Sequence, residues 1–345
     1  MLSITGNSSA FPRLTPSAQL RLPSKAAVRT VETSRVEIFE RRNYRLNYLA
    51  RKQKRTHSPR VSCRVNLSQK VFATTSSSTS ERSMHALPDG KRLEVIYRKA
   101  DGGGSRPPLV FIHGSYHAAW CWEEHFMPFF SERGYDCYAL SLRAQGGSDP
   151  IEGNVAGTVQ SLAEDIASFV GSLDRPPVVI GHSFGDAGVA FLASVPQSGN
   201  KDIVGRFLVR TPVLAMKITW WFIRKSFGES EEACRTCFFS PELPDEVLRR
   251  YMNEFKNSSP TRLIDLKAMN EIIPLPAPPS DGPPAIVVGA KQDKIVDSEA
   301  VFELARHWRV EPVVLDGVAH DVMLDTKWEV AATAVAAWLK ETYPA

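Results

Sequence analysis

A chain of 345 residues, 43% hydrophobic and 23% charged with a net charge of +4, is long enough for one large domain with a buried core. No stretch approaches the ~20 apolar residues that a membrane-spanning helix needs, and no secretory apolar region stands out. The small net charge hides an asymmetry: the first 80 residues carry 15 Lys/Arg and three acids, Glu32, Glu37 and Glu40, whereas the rest carries 27 basic and 35 acidic residues.

Residues 1–80 are rich in Ser, Thr and Arg and lack an apolar core. That composition reads as an organelle transit peptide and flexible linker, with the chloroplast stroma as first destination and the mitochondrion as second. Val61-Ser62-Cys63-Arg64 is a plausible processing region, and the Ser-rich run Thr74–Ser80 a lead-in to the folded body. The run Arg51-Lys52-Gln53-Lys54-Arg55 also fits a nucleic-acid patch, the weaker reading, so no nucleic-acid partner is expected.

Residues 81–345 read as one α/β domain. Pro88-Asp89-Gly90-Lys91 is a turn before a strand over Leu93–Arg98, and Gly102–Ser105 a link to a strand over Leu109–Ile112. The aromatic-rich Ala118–Ser131 suits a buried helix, and Asp136–Leu140 the next strand. Leu162, Ile166, Phe169, Val170 and Leu173 recur at helical spacing and predict a helix over Val159–Leu173. A strand from Val178 follows, then a helix-compatible Ala187–Ser194, and Phe207-Leu208-Val209 reads as a strand closing the first half of the sheet. Alternating strands and helices imply a mostly parallel sheet covered on both faces. Residues from about 212 to 276 break that rhythm: they are helical in pattern, dense in aromatics and closed by a proline-rich run, as a cap insertion would be. Strands over Ala285–Gly289 and Pro312–Leu315 and a final helix over Thr326–Glu341 complete the domain.

The strand from Val178 ends in Gly181-His182-Ser183-Phe184-Gly185. Glycines flanking a serine at a sharp strand-to-helix turn leave its Oγ clear of the sheet, which makes Ser183 a candidate nucleophile. A serine hydroxyl needs a histidine base, an acid to orient that base and backbone donors for the oxyanion. Asp293 follows the Ala285–Gly289 strand at the edge where open α/β sheets build their sites. His320 follows the next strand in a glycine-containing loop. Asp297 and Asp316 are fallback acids. The Phe184 N–H and the Ser115 N–H, after Gly114, are the candidate oxyanion donors, while His113 and His182 read as structural. Tyr116, Trp220 and Trp221 are candidate substrate-lining residues, with Phe222, Phe227, Phe238 and Phe239 as further apolar lining. Cys234-Arg235-Thr236-Cys237 stands without a second pair, so no metal site is expected, and the low cysteine count fits a reduced compartment.

Together, His113-Gly114, the loop Ser141–Ser148, Gly181–Gly185, Asp293 and His320 resemble the α/β-hydrolase superfamily over roughly residues 93–339. The stretch His113–Trp122 and the ending Gly317–Leu324 look similar to its plant methylesterase and hydroxynitrile-lyase branch. The reading is a cofactor-independent serine hydrolase, and the expected cap suggests a lipophilic carboxylic ester, a small molecule, as its substrate. Asp186 departs from the second glycine that relatives carry after the elbow; it suits a helix N-terminus, yet its charge would oppose an anionic intermediate. Lyase or acyltransferase chemistry on the same three residues, and a ligand receptor with this fold, are the rival readings.

Overall fold

A computed structural model describes residues 2–5, 79–184 and 199–344, save 274, 276 and 277. The predicted helix over Ala187–Ser194, together with Gly185, Asp186 and the processing region, lies outside the described residues.

An eight-stranded sheet organises the domain. Its strands in chain order are β1 (Leu2–Thr5), β2 (Glu81–Ala86), β3 (Arg92–Arg98), β4 (Leu109–Ile112), β5 (Cys137–Leu140), β7 (Val178–His182), β9 (Ala285–Ala290) and β10 (Val313–Leu315). The spatial order is β10-β9-β1-β7-β4-β5-β3-β2. The pairs β5/β4, β4/β7 and β9/β10 are parallel; β2/β3 is an antiparallel hairpin over the predicted turn, and β3/β5 is antiparallel too. Two three-residue strands, β6 (Val155–Gly157) and β8 (Arg262–Ile264), form a separate parallel pair.

Strand β4 shows why the centre holds. All four of its residues are buried. Leu109 and Phe111 point into one apolar cluster, with Trp122, Phe126 and Phe130; Val110 and Ile112 point into the other, with Leu140, Ile166 and Phe169. A strand buried on both faces has to be apolar throughout, which is how it reads in the sequence. The first cluster is covered by α1 (Trp120–Glu123), α2 (Phe126–Ser131) and α10 (Trp328–Thr342), the second by α3 (Val159–Val170). The single helix expected over 118–131 is thus two short ones. Thr158 caps α3 by accepting from the Ser161 N–H, while the Ser161 hydroxyl accepts from the Thr158 N–H.

Two expectations are corrected. Phe207–Val209 is not a strand: it lies in α4 (Gly199–Arg210). Ile203 and Phe207, one turn apart, pack inward, and Arg206 and Arg210 pair with Asp297 and Glu299 on α9 (Ser298–Trp308). Helical spacing of apolar and basic residues overrides the local strand propensity. The place in the sheet that those residues were expected to fill is taken by β1, which runs antiparallel to both β7 and β9. Leu2–Thr5 therefore belongs to the same compact unit as the body, although all of residues 1–80 reads in the sequence as leader and linker.

The segment expected to form a cap holds α5 (Pro212–Arg224), α6 (Glu231–Phe238), α7 (Asp245–Ser258) and α8 (Leu266–Ile272). Its buried aromatics Phe227, Phe238, Phe239, Tyr251 and Phe255 join the same cluster as Phe111 and Trp122, so these helices continue the core.

Candidate active site

Ser183 follows β7 with a φ of +55°, the left-handed region that residues with a Cβ avoid. The chain turns so sharply here that a Cβ on Gly114 would lie 2.9 Å from both the His182 carbonyl oxygen and the Ser183 Cβ. Glycine at 114 permits the β4 loop to close against the elbow. The next residue after Ser115 in that loop, Tyr116, also has a positive φ, +69°.

Asp293 and His320 come together as expected. The His320 Nδ1–H donates to Asp293 Oδ2 at 2.8 Å, and both side chains are almost wholly buried, at 3% and 1% exposure. Asp293 Oδ1 accepts from the Ile295 and Val296 N–H groups at 2.7 and 2.8 Å, which fixes the carboxylate. Burial pushes the Asp293 pKa up, but the neighbouring His320, its hydrogen bond and the Val296 N–H outweigh this and hold it below the usual carboxylate range. With Nδ1 committed to Asp293, Nε2 is the ring nitrogen left for proton exchange. The fallback acids are engaged elsewhere: Asp297 caps α9 and pairs with Arg206, while Asp316 lies at the surface with Gln292 and Lys291.

The other histidines divide into supports. His113 is fully buried; its Nδ1–H donates to the Gly114 carbonyl at 2.8 Å and its Nε2 accepts from the Leu142 N–H at 2.9 Å. Burial pulls its pKa down to about 3, so it stays neutral. His182, beside Ser183, donates through Nε2 to the His320 carbonyl at 2.9 Å, and the two rings lie 4.8 Å apart. It thereby ties the serine's strand to the histidine's loop.

Sequence reasoning missed a second buried pair next to the first. His117 Nε2 lies 2.8 Å from Asp321 Oδ2, and His117 Nδ1–H donates to the Ser115 carbonyl at 2.8 Å. The contact spans 204 positions, so only the adjacency of Asp321 to His320 hinted at it. Asp321 Oδ1 has no hydrogen-bond partner among the described residues and lies 3.9 Å from His182 Nε2. Single ligand atoms of His182, His320 and Asp321 fall within 4.8 Å of one another.

The expected substrate-lining residues separate. Tyr116 donates through its hydroxyl to the Phe222 carbonyl at 3.1 Å and packs edge-on against Phe222 and Phe227. Burial raises its phenol to about 12, so it remains a neutral donor. Trp221 is buried in the same cluster, and Phe238 sets its ring 5.9 Å from that of His320. Trp220, on the opposite side of α5, is 54% exposed and faces away. Cys234 and Cys237 are buried free thiols, and burial raises both pKa values, Cys237 to about 12, which keeps them protonated and inert. A surface groove of about 530 Å³ runs past Glu94, Trp120, Glu123 and Arg250, but none of the elbow, acid or base residues lines it.

Comparison with known proteins identifies the fold and the family. A stretch of 94 residues is 35% identical to "Putative non-heme bromoperoxidase BpoC" of Mycobacterium tuberculosis, covering 27% of this chain and 33% of that protein. Another of 84 residues is 32% identical to Methylesterase 1 of Arabidopsis thaliana, covering 24% and 32% respectively. The chain thus matches about a third of the length of these relatives. Among solved structures, epoxide hydrolase A from Mycobacterium thermoresistibile superposes with a TM-score of 0.53 at 17% identity, over 76% of this chain and 98% of that one, which shows the shared fold. The model of the alpha/beta hydrolase family matches residues 109–337, from β4 through the helix after His320, and the chain belongs to that family.

Proposed function

We propose that this chain is a serine hydrolase that cleaves a lipophilic carboxylic ester through Ser183, His320 and Asp293. The Ser183 Oγ attacks the ester carbonyl while His320 Nε2 takes its proton. The Phe184 and Ser115 N–H groups receive the oxyanion, and His320 then returns the proton to the departing alcohol. Water, deprotonated by the same Nε2, attacks the acyl-enzyme; the acid leaves and Ser183 regains its proton. Asp293 holds the ring in the tautomer that leaves Nε2 able to accept and stabilises the cation formed.

The observation that carries this reading is the buried 2.8 Å His320–Asp293 hydrogen bond, beside a serine held at a φ of +55°. The likeness to Methylesterase 1 and the apolar cluster that holds Tyr116, Trp221 and Phe238, the last with its ring near His320, support an apolar ester.

Fluorophosphonate labelling of the full chain tests it, with Ser183→Ala and His320→Ala alongside. Label on the wild type alone is the expected result, with ester turnover falling by about 10⁴-fold or more in either variant. Equal labelling of Ser183→Ala would move the nucleophile elsewhere. A folded wild type that takes no label would leave a ligand receptor as the better reading.

A further inference from the structure

Helix α5 is apolar on two sides. Inward, Ala215 and Trp221 are buried and Ile218 and Phe222 pack against the core. Outward, Val213, Met216, Trp220 and Ile223 are 66, 60, 54 and 58% exposed. Their spacing of three, four and three residues sets them in one stripe along the helix. A surface helix ordinarily turns a polar face to water, and a helix apolar all round is ordinarily covered.

The charged residues of the stripe's own segment are all basic. From Ile203 to Gly228 the chain carries Arg206, Arg210, Lys217, Arg224 and Lys225 and no acid, although the body after residue 80 has an excess of acids. Arg206 and Arg210 are paired with α9, Lys217 pairs with Glu232, and the half-buried Lys225 donates to the Pro260 carbonyl. The Arg224 guanidinium lies over the exposed Trp220 ring at 4.6 Å. Three of these five cations are met by acids of the chain itself, and Arg224 borders the stripe at Trp220. An anionic lipid surface offers apolar depth for the stripe and negative headgroups for its border, and a tryptophan beside an arginine suits that boundary.

We propose that the outer face of α5 docks on an anionic lipid surface, with Trp220 at the headgroup boundary. The proposal does not depend on Ser183 acting as a nucleophile. The 15 basic residues of the first 80 would attract anionic vesicles on their own, so sedimentation alone does not test it. Of the chain's seven tryptophans, however, only Trp220 is exposed, so quenching by the lipid interior reports on this face.

The experiment mixes the full chain with phosphatidylglycerol–phosphatidylcholine vesicles carrying brominated acyl chains and reads tryptophan emission. Wild type is expected to be quenched on these vesicles and not on pure phosphatidylcholine. In Trp220→Phe the quenching should fall by more than half. The triple variant Val213→Gln, Met216→Gln, Ile223→Gln, with an unchanged circular dichroism spectrum, should still sediment through its basic segment but lose the quenching. Unquenched wild type, or equal quenching in Trp220→Phe, overturns the proposal. So does a wild-type dimer on size exclusion that the triple variant converts to monomer, which would make a second copy the occupant.

Discussion

Ser183 pays for its position with backbone strain, since a left-handed conformation costs a residue with a Cβ about 1–2 kcal/mol. Ser183→Gly is therefore expected to unfold at higher denaturant than Ser183→Ala, by about 1 kcal/mol, although neither variant should take a fluorophosphonate label. Equal stability of the two would mean that the elbow is relaxed. His113 gives a pH signature of opposite kind. Its pKa is about 3 when folded and near 6.5 when exposed, so between those values the unfolded chain binds one more proton. Stability then falls as pH drops from about 6.5 toward 3, with this residue contributing up to ~1.4 kcal/mol per pH unit. Replacing His113 by Asn, which keeps a donor and an acceptor, should flatten that slope relative to wild type in denaturation series across the range; an unchanged slope would place the proton uptake elsewhere. At this scale the sequence was readable where chain order sets geometry, as in the strained turn at Ser183 and the meeting of Asp293 with His320. It was not readable for His117 and Asp321, because nothing local marks two polar side chains that meet across 204 positions in a core.

The loop Ser141–Ser148, part of the recognisable motif set, is held by element-to-element contacts. Arg143 forms a two-pronged contact with Asp165 on α3 at 2.5 and 2.7 Å and reaches Asp89 in the β2–β3 turn. Asp165 is nearly buried, and burial pushes its pKa up while Arg143 works against that. Arg143→Ala should destabilise by about 3 kcal/mol because it leaves a buried carboxylate unpaired. Adding Asp165→Asn should recover much of the loss, whereas additive losses in the double variant would mean that packing, not charge, is what Arg143 supplies. Strands β4, β7 and β9 were legible because burial on both faces demands a continuous apolar run. Strands β6 and β8 were not, since three residues carry no period. Phe207–Val209 misled because its strand-like composition sits within a longer helical spacing that only Ile203, Arg206 and Arg210 reveal.

For the whole molecule, the decisive departure from the sequence reading is β1. Leu2 pairs with His182 on one side and Val288 on the other, so four residues from the chain's beginning join the strand that leads to Ser183 and the strand that leads to Asp293. A chain beginning at Ser76 should lose at least about 5 °C in Tm by calorimetry and label more weakly with fluorophosphonate. An unchanged Tm would show that another segment can fill the place, as removal of a transit peptide would require. The same strand also sets a clock for synthesis. At 5–20 residues per second, β9 leaves the ribosome roughly 15–60 s after β1, and until then β1 lacks its second partner and leaves one edge unpaired. During that wait the nascent chain displays open strand edges of the sort that other chains can capture, so its yield in the cell should depend on chaperones more than the finished fold suggests.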